Sequence, residues 1–503
     1  MSTPLYLTNP QVFDLLRSLL PGAGRIYLVG GTVRDVLLER PIHDLDLVMA
    51  GADVRKTARM LADRLGGQFY MLDEERSTAR VLLEKNGERF WVDFAGLRGE
   101  TLESDLLARD FTINALATDV DQLDRLEDPL GGLTDLKEKR LRGCSPSAFK
   151  DDPLRVMRGV RLGLTLGFRL EAKTLEWMHQ AAEGIVRVSP ERQRDELINL
   201  LESGRVHSAI RLLDSFGLVE LLMPELKHTQ GVQQSAPHIE DVWNHTLAVC
   251  RELDTLFGVL VASYSEEKGA SLKNGIAMLR LGRFREKFTQ HFSQQITLNR
   301  NRRALLFFSA LYHDVGKPEV RRVDAEGRIR FFTHEELSAQ KLIVRSKALA
   351  FSQAEIDVMA KTIRGHMRIH QLANTGEPAS PRSIYRFFKA CGDAGVDICL
   401  LSLADLAGTY GETLPQPIWQ AELEIVRQLL EAWWEQPVEA TRPVRLLTGQ
   451  ELMVQFNLTA GPLIGKALEA LLEAQVTGEV RTQAEAVNFM RDWLMDNSTE
   501  RQE

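Results

Sequence analysis

The stretch Ile26-Tyr-Leu-Val-Gly-Gly-Thr-Val-Arg-Asp35 decides how the chain is interpreted. Its first four residues have the composition of a short buried strand, and Gly30-Gly31 form a turn at which the backbone can approach a ligand closely. A helix is predicted from Thr32 to Leu38. Because a helix N-terminus and free backbone N–H groups attract anions, and Arg34 adds a positive charge, the stretch is typical of a phosphate-binding site.

A pair of acidic residues follows this turn. The segment Asp44-Leu-Asp-Leu-Val48 has the composition of a strand, and the two-residue repeat of a strand puts Asp44 and Asp46 on the same face. Two like charges at one point repel each other unless cations lie between them. Since Mg²⁺ is commonly held by one or two carboxylates together with substrate phosphates, the pair predicts a magnesium site.

Length and composition restrict the class of protein. A chain of 503 residues with 44% apolar and 26% charged residues is expected to form several ordinary globular domains. The N-terminus lacks a basic start followed by an apolar run, and no stretch approaches the roughly 18 apolar residues that span a bilayer. We therefore expect a cytoplasmic protein without a membrane partner.

Cysteine spacing argues against disulfide and cysteine-zinc chemistry, and net charge argues against general nucleic-acid binding. The sequence has no C-x-x-C pair, which argues against a disulfide-linked partner and against a cysteine zinc site; the cysteines are Cys144, Cys250, Cys391 and Cys399. The net charge of −8 argues against indiscriminate nucleic-acid binding. Any RNA contact must come from local basic stripes.

A small sheet is predicted around the first motif. Helix 54–65 is followed by strands at 69–72, 78–83 and 89–94, with Asn86-Gly87 as a hairpin turn between the last two. Asp93 lies in the last of these strands. It either ends the strand or faces the site as a third carboxylate.

Two later runs carry further charged residues. In Arg109-Asp-Phe-Thr-Ile-Asn-Ala-Leu-Ala117, Arg109 offers a fork for phosphate, while Asp110 and Asn114 stand at i and i+4 of a predicted helix start and can meet a ribose hydroxyl. An N-capped helix without a ligand is the alternative.

A second charged run lies at 151–161. Asp152 is predicted to be a helix cap before Pro153, and a charged stripe recurs every three residues; its members are Asp152, Arg155, Arg158 and Arg161.

The order of these motifs resembles the nucleotidyltransferase head of the tRNA CCA-adding and bacterial poly(A) polymerase family. The resemblance implies that Asp152 and Arg155 select the base, with Asp151 in place of the family's usual Glu. Cytosine and adenine each place an amino donor beside a ring-nitrogen acceptor, which matches a carboxylate beside a guanidinium without a nucleic-acid template. It implies these catalytic and nucleotide-binding residues: Asp44, Asp46 and Asp93; and Gly30, Gly31, Arg34, Asp35, Arg109, Asp110, Asn114, Asp152, Arg155, Arg158 and Arg161.

Histidine and aspartate dominate the middle of the chain. The order His245, His313-Asp314, Asp405 resembles the HD phosphohydrolase superfamily, and His334 and His366 resemble its ligands for a second metal. Such a set suits a transition divalent ion (Mn, Ni, Co or Zn) with a bound water as nucleophile. Weaker candidates are His228, His238 and His370. A domain that persists only as a scaffold is the alternative.

The resemblance implies an α+β protein with a small mixed-sheet head followed by all-α neck, HD and tail domains. The predicted domains are a nucleotidyltransferase head at 1–140, a helical RNA-binding neck at 141–226, an HD domain at 227–410 and a helical RNA-binding tail at 411–503. Asp128-Pro-Leu-Gly-Gly132 is expected to act as a hinge. In the tail, the Gly461-Pro helix start with Lys466 nearby can hold a phosphate backbone.

We therefore expect a template-independent tRNA nucleotidyltransferase that uses CTP and/or ATP at the tRNA 3′ end, with Mg²⁺ in the head. Alternatives are a poly(A) polymerase, and an HD phosphohydrolase whose head only binds nucleotides. Full CCA-adding members usually carry a longer mobile segment than the one at 95–108. The short segment predicts a specialist that adds C-C or the final A. The sequence leaves the oligomeric state open.

Overall fold

The computed structural model describes residues 10–497 apart from 20–23, 43, 52, 75–76, 86–87, 262–270 and 299. The chain divides into two compact units. The first is Met1–Glu196 with Leu212–Leu221, and the second is Leu197–Arg211 with Leu222–Glu503. The four-domain division stays a prediction.

A mixed sheet forms the head, and seven strands belong to it among the described residues. They are β1 (Arg25–Val29), β2 (Asp44–Ala50), β3 (Gln68–Asp73), β4 (Thr78–Lys85), β5 (Glu88–Gly96), β6 (Ala117–Asp119) and β7 (Gln122–Glu127). Their order across the sheet is β3-β4-β5-β2-β1-β6-β7. β2 and β5 are parallel, and the other neighbours are antiparallel. The acidic residues of β2 and β5 therefore lie side by side.

Helices surround this sheet and continue into the neck. They are α1 (Pro10–Leu19), α2 (Gly31–Leu37), α3 (Val54–Leu65), α4 (Leu102–Leu107), α5 (Gly132–Lys137), α6 (Pro146–Asp151), α7 (Leu154–Leu166), α8 (Ala172–Ala181), α9 (Pro190–Leu201), α10 (Val206–Ser215), α11 (Leu218–Leu222) and α12 (Pro224–Lys227). Two short strands, β8 (Arg140–Leu141) and β9 (Arg169–Leu170), pair in parallel. α7 ends at Gly167, whose left-handed backbone suits glycine.

The second unit is helical. Among the described residues after position 240, its α-helices are α13 (Val242–Leu260), α14 (Leu272–Leu281), α15 (Arg285–Ser293), α16 (Arg302–Tyr312), α17 (Lys317–Val320), α18 (His334–Ala348), α19 (Gln353–Gly365), α20 (Met367–Ala373), α21 (Pro381–Cys391), α22 (Ala394–Tyr410), α23 (Gln416–Trp434), α24 (Gly449–Phe456), α25 (Pro462–Val476) and α26 (Gln483–Asp496). Two small hairpins interrupt them: β10 (Gln295–Thr297) with β11 (Arg300–Asn301), and β12 (Arg322–Val323) with β13 (Ile329–Arg330).

α22 forms the centre of the second unit. It packs against α13, α19 and α23, and residues 394–409 are all buried. A helix that is enclosed in this way is expected to be apolar on every face. Asp405 breaks that rule, and a buried carboxylate requires partners.

The structure confirms the predicted fold class, with a mixed sheet in the head and a helical remainder. Two local predictions are wrong. Asp152 does not cap α7 with its side chain, because the helix begins at Leu154 after Pro153. The run after Asp110 forms only a 3₁₀ turn at Thr112–Asn114. The predicted hairpin residues Asn86-Gly87 lie outside the described residues.

Among the helices that the structure describes, none combines the length and the apolar character needed to cross a membrane. The four cysteines are present as free thiols. Burial raises the pKa of Cys144 to about 12 and that of Cys391 to about 11, so these thiols stay protonated at neutral pH.

Candidate functional site

The two acidic residues of β2 share one face, as the two-residue repeat predicts. The intervening Leu45 is fully buried. Thr32, in the first turn of α2, fixes the strand: its hydroxyl accepts the Asp46 N–H at 3.0 Å and donates to the Asp44 carbonyl oxygen at 3.3 Å. The glycine turn and the acidic pair therefore form one rigid unit.

A third carboxylate lies beside this pair. Asp93 is mid-strand in β5 and is the register partner of Asp46, so it does not end the strand. Arg80 donates two hydrogen bonds to it, each 2.7 Å long. Burial, together with the neighbouring charges of Asp44 and Asp93, raises the pKa of Asp46 to about 6. Burial and mutual repulsion make the charged form of this carboxylate cluster unfavourable. A divalent cation would offset that cost, so the cluster fits a divalent metal site.

Gly30 brings the backbone against this cluster. Its φ of +71° lies in the left-handed region, which favours glycine. A Cβ at this position would lie 3.1 Å from Asp46 Oδ2 and 3.1 Å from Arg109 Nη1. Arg109 is also paired with Asp105 at 2.9 Å. The glycine turn, a carboxylate and a guanidinium thus converge on one place.

The other predicted nucleotide-binding groups form one hydrogen-bonded network. Arg34 donates to Asn114 Oδ1 at 2.7 Å and makes a two-pronged contact with Asp35. Asn114 donates to Asp110 Oδ1 at 3.0 Å, and Arg158 pairs with Asp110 Oδ2 at 2.9 Å. Burial raises the pKa of Asp110, but Arg158 and the Asn114 hydrogen bond outweigh it and lower the pKa below its ordinary value. Asp110 and Asn114 therefore meet, although the predicted α-helix is absent.

In the candidate base-selecting pair, Asp152 and Arg155, the Asp152 carboxylate has a hydrogen-bond partner at one of its two oxygens. Arg192 donates to Asp152 Oδ2 at 2.7 Å, whereas Asp152 Oδ1 is buried and has no hydrogen-bond partner. Arg155 donates to the carbonyl oxygens of Ala108 and Ala148 at 3.0 and 3.1 Å. Its Nε lies 3.9 Å from Asp152 Oδ2. The orphaned oxygen can accept a hydrogen bond from a ligand.

Arg161, the last residue of the stripe, has a different neighbour. Its Nε donates to Glu196 at 2.6 Å. This pairing neutralises much of its charge. The role of Arg161 as a phosphate ligand stays a prediction.

In the second unit, the structure brings the predicted histidines and aspartates together. His245 lies in α13, His313 and Asp314 follow α16, His334 begins α18, His366 lies between α19 and α20, and Asp405 lies in α22. All six side chains are buried. They come from five separate parts of the helical bundle.

Backbone carbonyls fix the tautomers of three of these histidines. Nδ1 of His313 lies 2.7 Å from the Ala310 oxygen, Nδ1 of His334 lies 2.8 Å from the Phe331 oxygen, and Nδ1 of His366 lies 2.6 Å from the Ile363 oxygen. Because a carbonyl only accepts, each Nδ1 is the donor and each Nε2 keeps a lone pair. This is the arrangement expected of metal-ligating histidines.

Asp314 joins two groups of ligand atoms. One group is His245, His313 and Asp314, and the other is Asp314, His334 and His366. Nε2 atoms lie 3.2 Å from Asp314 for both His313 and His334. Asp314 is buried, and its two oxygens contact nitrogen atoms of histidine and lysine side chains, which fits a site for cations. The described side chains can therefore hold two metal ions that share one carboxylate.

Two neighbours add charge around this centre. Lys317 Nζ lies 2.6 Å from Asp314 Oδ2. Burial raises the pKa of Asp314, but His313 and Lys317 outweigh it and hold the pKa well below its ordinary value. His370 lies between Asp405 at 3.0 Å and Glu422 at 2.8 Å. Burial lowers the pKa of His370, but these carboxylates raise it to about 10.

Comparison with protein families assigns four parts of the chain. Residues 26–142 match the poly(A) polymerase head domain, and 167–229 match a probable RNA and SrmB binding site of polymerase A. Residues 279–393 match the HD domain, and 416–501 match a putative domain 2 of tRNA nucleotidyltransferase.

Comparison with curated proteins gives relatives over most of the length. The chain is 33% identical to an A-adding tRNA nucleotidyltransferase of Deinococcus radiodurans over 479 residues, which are 94% of this chain and 96% of the relative. The chain belongs to the tRNA nucleotidyltransferase family. It is also 33% identical to a CC-adding tRNA nucleotidyltransferase of Thermus thermophilus, over 92% of this chain and 93% of the relative. The predicted family and the predicted enzyme class, a nucleotidyltransferase, are confirmed.

The fold agrees with solved members of this family. The Thermotoga maritima CCA-adding enzyme complexed with tRNA matches 98% of this chain and 99% of its own, with a TM-score of 0.56 and 21% identity. At that identity the match supports the fold.

Sequence reasoning missed several residues of these sites. Arg192, Lys317 and Glu422 contact candidate site residues, and Asp105 holds Arg109. Arg192 lies in the first turn of α9, 40 residues beyond Asp152, so no local pattern linked the two. Glu422 had no signal, since it lies beyond the stretch that resembles an HD domain.

Two of the weaker candidate metal ligands, His238 and His228, differ in burial. His238 is half-buried, and its ring centre lies 5.1 Å from that of His245. His228 is exposed.

Proposed function

We propose that the head adds C and/or A residues of the C-C-A end to tRNA, from CTP and/or ATP, without a nucleic-acid template. The observation that carries this proposal is the buried, unpartnered Oδ1 of Asp152 beside Arg155. Membership of the tRNA nucleotidyltransferase family supports the substrate. A tRNA substrate implies the cytoplasm.

The catalytic groups have separate tasks. Asp44 and Asp46 would hold Mg²⁺, which would supply Lewis acidity toward the tRNA 3′-hydroxyl and positive charge toward the triphosphate. Asp93 supports Asp46 from the neighbouring strand and is itself held by Arg80. The turn at Gly30-Gly31 lets the triphosphate approach these carboxylates.

The nucleotide is held from three sides. Arg109 and Arg158 supply charge to the phosphates, and Arg34 holds Asn114 in place. Asp110 and Asn114 present acceptors and donors to the ribose. For the base, Asp152 Oδ1 accepts the exocyclic amino group of cytosine or adenine, and Arg155 donates to the adjacent ring nitrogen.

The segment 95–108 supports a specialist that adds C-C or the final A. It is short and closed by local hydrogen bonds: Thr101 and Ser104 cap α4 reciprocally, and Asp105 accepts from the Arg98 N–H at 3.0 Å. A segment fixed in this way has little freedom to adapt one pocket to two bases of different size. Both curated relatives described above carry names of specialists.

The experiment is incubation with three tRNAs, ending at the discriminator base, after one C and after C-C, with each labelled nucleoside triphosphate separately and with CTP and ATP together. A C-C specialist extends the first two tRNAs and stops at C-C, whereas an A specialist extends only the tRNA that already ends in C-C. Conversion of the shortest tRNA to the full C-C-A end would overturn the specialist proposal, and long adenosine tails would favour a poly(A) polymerase.

A second candidate function is favoured by the shared carboxylate Asp314 between two histidine pairs. We propose that the HD centre holds a transition divalent ion and hydrolyses a phosphoester such as a 2′,3′-cyclic phosphate. The test is metal content after purification, followed by hydrolysis assays with Mn²⁺, Ni²⁺ or Co²⁺. Absence of both binding and hydrolysis would favour a scaffold.

A further inference from the structure

Asp405 has two differently engaged oxygens. Its Oδ1 lies 3.0 Å from His245 Nε2, which faces the candidate metal centre. Its Oδ2 lies 3.0 Å from His370 Nε2, on the opposite side of the carboxylate. A carboxylate that is held at one oxygen presents the other in a defined direction.

His370 is held in turn by Glu422. Nδ1 of His370 lies 2.8 Å from Glu422 Oε1, and the same oxygen accepts a hydrogen bond from the Ser402 hydroxyl. Glu422 lies in α23 and is only 2% exposed. A continuous chain of polar contacts thus runs from α23 through His370 to Asp405 and His245.

His245 needs this support more than the other histidines do. The imidazoles of His313, His334 and His366 are oriented by backbone carbonyls, as described above. Nδ1 of His245 is buried and has no hydrogen-bond partner. Its ring therefore lacks that anchor. Nε2 lies 3.0 Å from Asp405 Oδ1, which is closer than its contacts with Asp314 at 3.5 Å and with His313 at 3.4 Å, so Asp405 is the neighbour best placed to orient the ring.

Burying the Glu422 carboxylate costs free energy, which indicates that this residue has a role beyond packing. A carboxylate that leaves water is destabilising unless its partners compensate. Ser402 lies one turn before Asp405 on α22, so Glu422 contacts both the helix that carries Asp405 and the histidine that holds it. Packing alone would be served by an apolar side chain at this position.

We propose that Glu422 and His370 are positioning residues of the HD metal centre, which orient Asp405 toward the metal. Glu422 lies within the stretch that matches tRNA nucleotidyltransferase domain 2, beyond the match to the HD domain. The metal centre is therefore completed by the first helix of the predicted tail. This inference rests on the proposed function of the HD centre as a metal site.

The test compares Co²⁺ affinity in the full-length parent, Glu422→Gln and His370→Gln, by competition with a chelator. Loss of an outer-shell partner commonly costs about 10–100-fold in metal affinity, and we expect a rise of that size in the Co²⁺ dissociation constant of both variants. The visible spectrum of bound Co²⁺ should change as well, which a purely structural role would not cause. Glu424→Gln is the matched control and should bind Co²⁺ as the parent does, because Glu424 lies on the same helix but is half-buried and pairs with Arg427 instead of His370.

The outcomes separate this inference from the proposed function. If the parent binds Co²⁺ and both variants bind it within about twofold of the parent, the positioning role is wrong while the metal centre stands. If the parent binds no Co²⁺, both proposals fail. If Glu422→Gln does not fold, His370→Gln decides.

Discussion

The head site and the HD centre use carboxylates in opposite ways. In the head, Asp44 and Asp46 come from one strand, and burial together with mutual repulsion raises the pKa of Asp46. In the HD centre, Asp314 follows α16 and Asp405 lies in α22. Burial raises the pKa of each, but neighbouring histidines, and Lys317 beside Asp314, outweigh it and lower each pKa well below its ordinary value. The head therefore gathers negative charge that needs a cation, whereas the HD centre already contains histidines and Lys317 that compensate its acids.

This difference predicts that the two activities separate cleanly. Asp46→Asn should abolish nucleotidyl transfer, because a lost metal ligand costs several kcal/mol, or about 10³-fold in rate. Co²⁺ binding at the HD centre should stay as in the parent. Single-turnover addition to tRNA, with exposed Asp63→Asn as control, measures the effect; transfer within about tenfold of the parent would contradict the assignment.

The reciprocal variant tests the other side of the comparison. Asp314→Asn should remove metal from the HD centre, because both groups of ligand atoms share this carboxylate. Nucleotidyl transfer should remain. Metal content by elemental analysis measures the effect, with His228→Ala as a control at an exposed histidine. Retention of two metal ions would show that Asp314 is not a shared ligand.

A substitution that weakens base selection in the head is expected to have a smaller effect than the loss of a metal ligand. Asp152→Asn should lower the preference for cytosine or adenine over uracil and guanine by about 10–100-fold, because an amide replaces the carboxylate that accepts the amino group. The measurement is kcat/KM for the four triphosphates. The control is Glu176→Gln, at an exposed acidic residue of α8. A uniform loss of rate with unchanged preference would mean that Asp152 contacts phosphate instead.

The smallest effect concerns stability in the absence of metal. The raised pKa of Asp46, about 6, means that the fold favours its protonated form, so this contribution to stability is present below its ordinary pKa and is lost as pH rises through 6. In chelator at about pH 7.5, Asp46→Asn should therefore be more stable than the parent, by a free energy of unfolding on the order of 1–3 kcal/mol.

The control for this last prediction is pH itself. Near pH 4 the difference between Asp46→Asn and the parent should shrink, because the parent carboxyl becomes protonated. Denaturant unfolding at both pH values measures it. A gain in stability that is equal at both values would show that charge is not its cause.

Much of the head, including its acidic strand face and its first long helix after that strand, could be predicted from the sequence because these features depend on local periodicity. Strand periodicity placed Asp44 and Asp46 on one face, and helix 54–65 has the predicted bounds. The sequence could not decide whether Asp93 ends its strand, since that depends on the parallel pairing of β2 with β5. It also could not foresee that Arg192, rather than a helix terminus, would hold Asp152.

For the HD centre, the sequence determined which residue types recur in an order that resembles a known superfamily, and with them the candidate ligands. Only the tertiary structure decided how these ligands meet, because five helical segments far apart in the chain must pack before any two of them touch. The same packing brings Glu422 to His370 across helices that share no local pattern. Short-range periodicity can be read residue by residue, whereas contacts between distant helices exist only in the folded protein.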